Sequence, residues 1–118
     1  MAGEAPTRFV YVFGLQVSDD ASYQRYRAGM TPILHRYGGG FGYDFVVARV
    51  LASETAQPIN RVFTIAYPDR ATADRFFADP AYLDVRRAWF EPAVTAITMI
   101  ASFEEPVSAP RLDASSPT

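Results

Sequence analysis

Between Arg8 and Phe103 the spacing of apolar residues switches from every second position to every third or fourth and back, and the order of the switches leaves few folds open. Arg8 to Val17 alternates as a strand, with Phe9, Tyr11, Phe13, Leu15 and Val17 on one face and Val10 and Val12 on the other. Ser18-Asp19-Asp20 supplies N-cap oxygens, and a helix is predicted over 21–37 with Tyr23, Tyr26, Met30, Ile33, Leu34 and Tyr37 as its buried stripe. Pro32 predicts a kink or break near Thr31. Gly38-Gly39-Gly40 then ends the helix, because glycine takes the left-handed conformation at little cost.

Further strands are predicted over 43–51, 61–67 and 95–103. Between the last two, helical pieces cover 71–78 and 80–90, capped by Asp69 and by Asp79-Pro80. The order is β-α-β-β-α-β. An ungapped internal echo supports it: Val12/Val62, Phe13/Phe63, Asp19/Asp69, Ala21/Ala71 and Arg25/Arg75 hold equal places in two strand–cap–helix units. The expected fold is therefore α+β and ferredoxin-like, a four-stranded antiparallel sheet with two helical regions on one face. It occupies one domain, 8–105, between small polar tails at 1–7 and 106–118.

In that fold the second sheet face meets solvent and alternation should be clean. Instead each strand is apolar on both faces: Tyr43, Phe45 and Val47 oppose Val46, Ala48 and Val50, Phe63, Ile65 and Tyr67 oppose Val62 and Ala66, and Ile97, Met99 and Phe103 oppose Ile100. A bare face of this kind exceeds what a soluble monomer tolerates. The tails are too polar to cover it, so the expected partner is a second copy related by two-fold symmetry, giving a homodimeric α+β barrel.

Composition removes much chemistry. Cysteine is absent, all 11 basic residues are arginine, and His35 is the single histidine. Thiolate chemistry, lysine Schiff bases, phosphate-loop lysines and two-histidine metal sites are excluded together. A formal net charge of −2 argues against nucleic-acid or membrane-surface binding. No signal segment or spanning run is visible, so a cytoplasmic protein without metal or cofactor is expected.

Three segments then carry a resemblance: Val17-Ser18-Asp19, Arg36-Tyr37-Gly38-Gly39, and Phe77-Ala78-Asp79-Pro80-Ala81-Tyr82-Leu83. On these, residues 8–105 resemble the DUF1330 family of small dimeric α+β barrel proteins, within a ferredoxin-like superfamily that includes antibiotic-biosynthesis monooxygenases. The resemblance implies the fold and a dimer. Its motifs are caps, a glycine stop and core aromatics, and the family has no established common reaction, so it carries over no catalytic residue.

The site candidates come from the residues themselves. At helical spacing Arg86 falls among Val85, Trp89, Tyr82 and Phe90, where a guanidinium can hold a carboxylate, phenolate or enolate. The structural alternative is an ion pair or a snorkelling side chain. Trp89 is placed to position a flat ring, and Tyr11, Tyr43, Tyr67 and Tyr82 to orient a ligand by their hydroxyls. Asn60 can reach a cavity mouth. Tyr67 or His35 would move a proton, although His35 lies about 150° from the centre of its helix stripe and so points outward; that direction also argues against haem ligation. The glycine run follows a helix rather than preceding one, which excludes a phosphate cradle. The expected function is a cofactor-independent enzyme of oxygenase, cyclase or isomerase type acting on a small aromatic or carbonyl-bearing metabolite. The alternative is a non-catalytic homodimer that binds a metabolite or a protein.

Overall fold

The computed structural model describes residues 6–107. Strand β1 (Thr7–Val17) leads into helix α1 (Asp20–Arg36), then strands β2 (Gly40–Val46) and β3 (Arg61–Tyr67). Helices α2 (Arg70–Phe77) and α3 (Pro80–Val85) follow, α3 running into one π-helical turn, Arg86–Phe90, before strand β4 (Val94–Pro106). The strands lie in the order β2-β3-β1-β4 with every neighbouring pair antiparallel. This is the ferredoxin-like α+β arrangement, with β1 and β3 central and β2 and β4 at the edges. The expected tails fall mainly at 1–5 and 108–118, outside the described residues, whereas Thr7 and Pro106 pair with each other in the sheet.

The two halves of the internal echo form equivalent structures. Asp19 accepts from the Ser22 N–H at 3.1 Å and Asp69 from the Thr72 N–H at 2.7 Å, so each caps a helix three residues on. Phe13 and Phe63 are direct partners across β1 and β3. Asp79 caps α3 through the Ala81 N–H at 2.7 Å, with Pro80 at the first helical position. Helix α1 closes at Gly38, whose φ is +77°. The Gly38 and Gly39 N–H groups return to the His35 and Leu34 carbonyls at 2.9 and 3.0 Å, which satisfies two otherwise unpaired carbonyls.

Four local expectations give way. Of the kink or break expected at Pro32, the break does not occur: helix α1 continues through Thr31 and Pro32. Ala28, whose carbonyl loses its donor to the proline ring, is exposed, so water can replace that bond while Met30, Ile33 and Leu34 stay buried on the other side. Strand β2 runs over Gly40–Val46, not 43–51: Gly40 and Phe41 pair with Ala66 and Ile65, and β3 offers nothing beyond Arg61, the partner of Val46. Ile100 is an extra residue in β4, because Met99 pairs with Phe13 and Ala101 with Val12. This bulge turns Phe103 to the face opposite Ile97 and Met99. The 80–90 helix is not uniform, and its π turn resets the phase of everything after Val85.

Tyr11, Leu15, Phe63, Ile65 and Tyr67 of the inner sheet face pack with Tyr23, Tyr26, Met30 and Leu34 of α1, Phe76 of α2 and Tyr82 of α3 in one core. On the outer face, Ala66, Val10 and Phe103 form one row across the sheet, Thr64, Val12 and Ala101 the next, and Phe45, Val62 and Gly14 a third. Ile59, from the loop between β2 and β3, fills the space a Cβ would need at Gly14. Phe45 and Phe103 remain 53% and 41% exposed there.

Candidate functional site

A cavity of about 50 Å³ lies between the inner sheet face and the helices. Phe13, Leu15 and Ile65 form its floor, Tyr26 and Met30 come from α1, Tyr82 from α3, and Arg86 and Phe90 from the π turn. Ile97 stands at its β4 side. Ile97 and Met99 both share the face of the floor residues, yet they are 45% and 55% exposed. The cavity is therefore flanked by an apolar shelf on the edge strand.

The π turn sets the polar content. Its closing bond runs from the Glu91 N–H to the Arg86 carbonyl at 3.0 Å, five residues back. Phe90 is buried, and the Arg86 guanidinium sits over its ring at 4.6 Å. Among the described residues Arg86 makes no ion pair, unlike Arg8, Arg27, Arg61 and Arg87. The cavity lining contains no carboxylate. Opposite, the Tyr26 and Tyr82 hydroxyls meet at 2.9 Å in a buried contact. Burial first, and then the neighbouring Tyr82, push the pKa of Tyr26 well above the ordinary phenol value; Arg86 pulls it back only in part.

Tyr67 and Tyr11 lie deeper. Tyr67 is fully buried and its hydroxyl has no hydrogen-bond partner. Burial raises its pKa, with Tyr82 and Tyr11 adding to the shift. Its ring packs against Phe76 and Phe77, which pack in turn against Tyr82. Tyr11 stacks on Phe13 at 5.6 Å and meets Tyr67 and Phe77 edge-on. Both are core residues behind the cavity wall. A tyrosine whose proton is held this firmly is a donor, not a base.

A family model described as a domain of unknown function, DUF1330, matches residues 10–103. The chain belongs to the DUF1330 family. No curated protein matches it in sequence. Among solved structures, this DUF1330 chain is similar to a protein of unknown function from Rhodopseudomonas palustris, with a TM-score of 0.67 at 16% identity over 89% of this chain and 85% of that one. It is also similar to a dabb family protein with a ferredoxin-like fold from Mesorhizobium loti, with a TM-score of 0.52 at 13% identity over 87% and 99%. A candidate antibiotic biosynthesis monooxygenase from Chloroflexus aurantiacus gives a TM-score of 0.54 at 11% identity over 88% and 96%. Identities this low establish the shared fold alone.

The DUF1330 domain brings together only Arg86 and Tyr82 of the residues expected to form a site. Trp89 is turned outward by the π turn, its ring under Arg25 at 5.0 Å and its carbonyl accepting from the Ser22 hydroxyl. Tyr43 stacks on Phe45, whose partner is Val62, so it lies on the outer face and is 66% exposed. Asn60 is a clamp: its Oδ1 accepts from the Val17 N–H at 2.8 Å and its Nδ2 donates to the Val17 carbonyl at 2.9 Å. That amide ties the β2–β3 loop to the end of β1 and has little left for a ligand. His35 is exposed on α1, off the buried face that meets the cavity.

Two features escape a reading of the residues. Tyr26 looks like plain stripe, because its partner Tyr82 is 56 positions away. Arg27 and Arg61 share Asp44 at 3.1 and 3.2 Å, Arg61 also reaches Asp20 at 3.6 Å, and Arg27 lies over the Phe41 ring at 3.7 Å. This cluster is satisfied from within and braces β2 against α1. Among the described residues no group of His, Cys, Asp or Glu is arranged to hold a metal ion, and no helix is long and apolar enough to cross a membrane.

Proposed function

We propose that the helix–sheet cavity receives the oxygen-bearing head of a small aromatic or carbonyl-containing molecule, as its anion, and that two copies of the chain pair through their outer sheet faces. The observation that carries this reading is Arg86, a half-buried guanidinium facing an aromatic cavity with no acidic partner among the described residues. A guanidinium that faces an apolar cavity without a counter-ion favours a ligand that brings the negative charge. At about 50 Å³ the cavity takes a carboxylate, phenolate or enolate head and not a whole ring. The body of the ligand then lies along the Ile97–Met99 shelf.

Oxygenase, cyclase and isomerase reactions that run without a cofactor share a substrate anion, and Arg86 stabilises it. The cavity offers no ready base, since burial holds the proton on Tyr26, Tyr82 is hydrogen-bonded to it and His35 is outside. Its substrates are thus acids strong enough to arrive ionised or to lose a proton to water. The same lack of a base favours, as the second reading, a module that binds such an anion and does not transform it. The likeness to the candidate monooxygenase adds an analogy of fold.

For the pairing, the outer face carries Val10, Val12, Phe45, Val62, Ala66 and Phe103 with no charged side chain in its central rows. An uncharged surface has no sign to match and meets its own copy without repulsion.

Calorimetric titration with benzoate tests the site. Arg86→Met should weaken binding about tenfold or more, the loss of one charged hydrogen bond, with the assembly state unchanged. A wild-type protein that ignores benzoate, or a variant that binds it equally well, overturns the reading.

A further inference from the structure

We propose that the Tyr26–Tyr82 hydroxyl pair is the second recognition element of this cavity, presenting one O–H donor that the protein leaves without an acceptor and so favouring ligands whose buried head accepts a hydrogen bond. The inference rests on the reading of the cavity as a ligand site and adds to it the chemistry of the head group.

Two phenols carry two O–H donors, and the 2.9 Å contact between them uses one. The other has no acceptor among the described residues. Both side chains are buried and both line the cavity, so water outside the fold does not serve. The rest of the lining offers little: apart from Arg86 it is phenylalanine, leucine and isoleucine with Met30, whose thioether is a weak acceptor already facing the Thr31 hydroxyl at 3.8 Å. The Tyr67 hydroxyl, behind Phe76 and Phe77, is buried and unpartnered as well. Two hydroxyl protons of the aromatic core, one from the pair and that of Tyr67, are thus left without an acceptor, and buried polar groups are rarely left in that state.

Burial keeps Tyr26 protonated far above neutral pH, which leaves its O–H available to the hydrogen bonding of the pair. A donor whose oxygen accepts from a second hydroxyl is also strengthened by it. Arg86 supplies charge and the pair supplies a neutral hydrogen bond, so the two act on different ligands. A carboxylate or phenolate uses both. A ketone uses the pair alone. An ammonium head meets the like charge of Arg86 and is disfavoured.

Benzoate, acetophenone and benzylamine, titrated into the full chain by ligand-observed NMR, separate these roles. In Tyr26→Phe/Tyr82→Phe both hydroxyls go at once, leaving neither orphaned, so the rings pack as before. That variant should bind benzoate and acetophenone about tenfold more weakly, while Arg86→Met should lose affinity for benzoate and keep it for acetophenone. Benzylamine should bind neither variant nor wild type. Unchanged affinities in the double variant beside a loss of benzoate in Arg86→Met overturn this proposal and leave the anion reading standing. Wild-type binding of benzylamine as tight as that of benzoate overturns the selectivity. No binding of benzoate or acetophenone by wild type overturns both. If the double variant does not fold, Tyr82→Phe alone is judged by the same tenfold criterion.

Discussion

Arg86 and the three aspartate caps show how single side chains divide between site and scaffold. Breaking a buried ion pair costs about 3–5 kcal/mol, whereas Arg86 gives up only its contact with the Phe90 ring, worth about 0.5–1 kcal/mol. Arg86→Met should therefore leave the denaturant-unfolding free energy within about 1 kcal/mol of wild type, and a loss several times larger would make Arg86 a structural residue. Asp79 is of the other kind. It accepts from the Tyr37 hydroxyl and the Ala81 N–H, and these bonds hold its carboxyl below the ordinary value of 3.8. The Thr72 bonds hold Asp69 down in the same way. A depressed pKa stabilises the fold fully above the unfolded value and loses that contribution as pH falls through the lower folded value. Asp79→Ala should lower Tm at neutral pH, with the gap to wild type closing below pH 3.8; a gap independent of pH would contradict the assignment. The caps were legible in the sequence because a cap acts within three residues. Asn60 and Tyr26 were not, because their partners Val17 and Tyr82 are 43 and 56 positions distant.

Elements were legible where a local period or punctuation decides them, and illegible where a neighbouring strand does. The stripe Tyr23, Tyr26, Met30, Ile33 and Leu34 is the buried face of α1, as its spacing predicts. The bulge at Ile100 and the early start of β2 depend on register against β1 and β3, which no single segment encodes. The π turn belongs to the same class, and missing it misplaced Trp89. The glycine run divides by its neighbours too. A Cβ at Gly39 would stand 2.5 Å from Leu34 Cδ1 and 2.9 Å from the Ala66 carbonyl oxygen, whereas one at Gly40 would meet nothing within 4 Å. Gly39→Ala should destabilise the domain by about 1–3 kcal/mol, and Gly40→Ala should stay within about 0.5 kcal/mol. Chemical denaturation of the two variants checks this, and equal losses would contradict the packing of the α1–β2 turn.

At the scale of the whole molecule, one sheet has two apolar faces and one layer of helices. The inner face is covered by the core except at Ile97 and Met99 on the edge strand, while Phe45 and Phe103 on the outer face remain in solvent in the single chain. That both faces are apolar was readable from the strands alone. If a second copy is the cover, a charge at its centre is intolerable, because pairing would bury two unpaired carboxylates at once. Phe103→Glu should yield a folded single chain that still binds benzoate. A Phe103→Glu protein that remains paired would place the interface elsewhere. The most direct test of the account is the solution mass of the wild-type protein by sedimentation equilibrium at micromolar concentration. Two chains per particle is the predicted result; a stable, soluble single chain would contradict the covered sheet face on which the assembly rests.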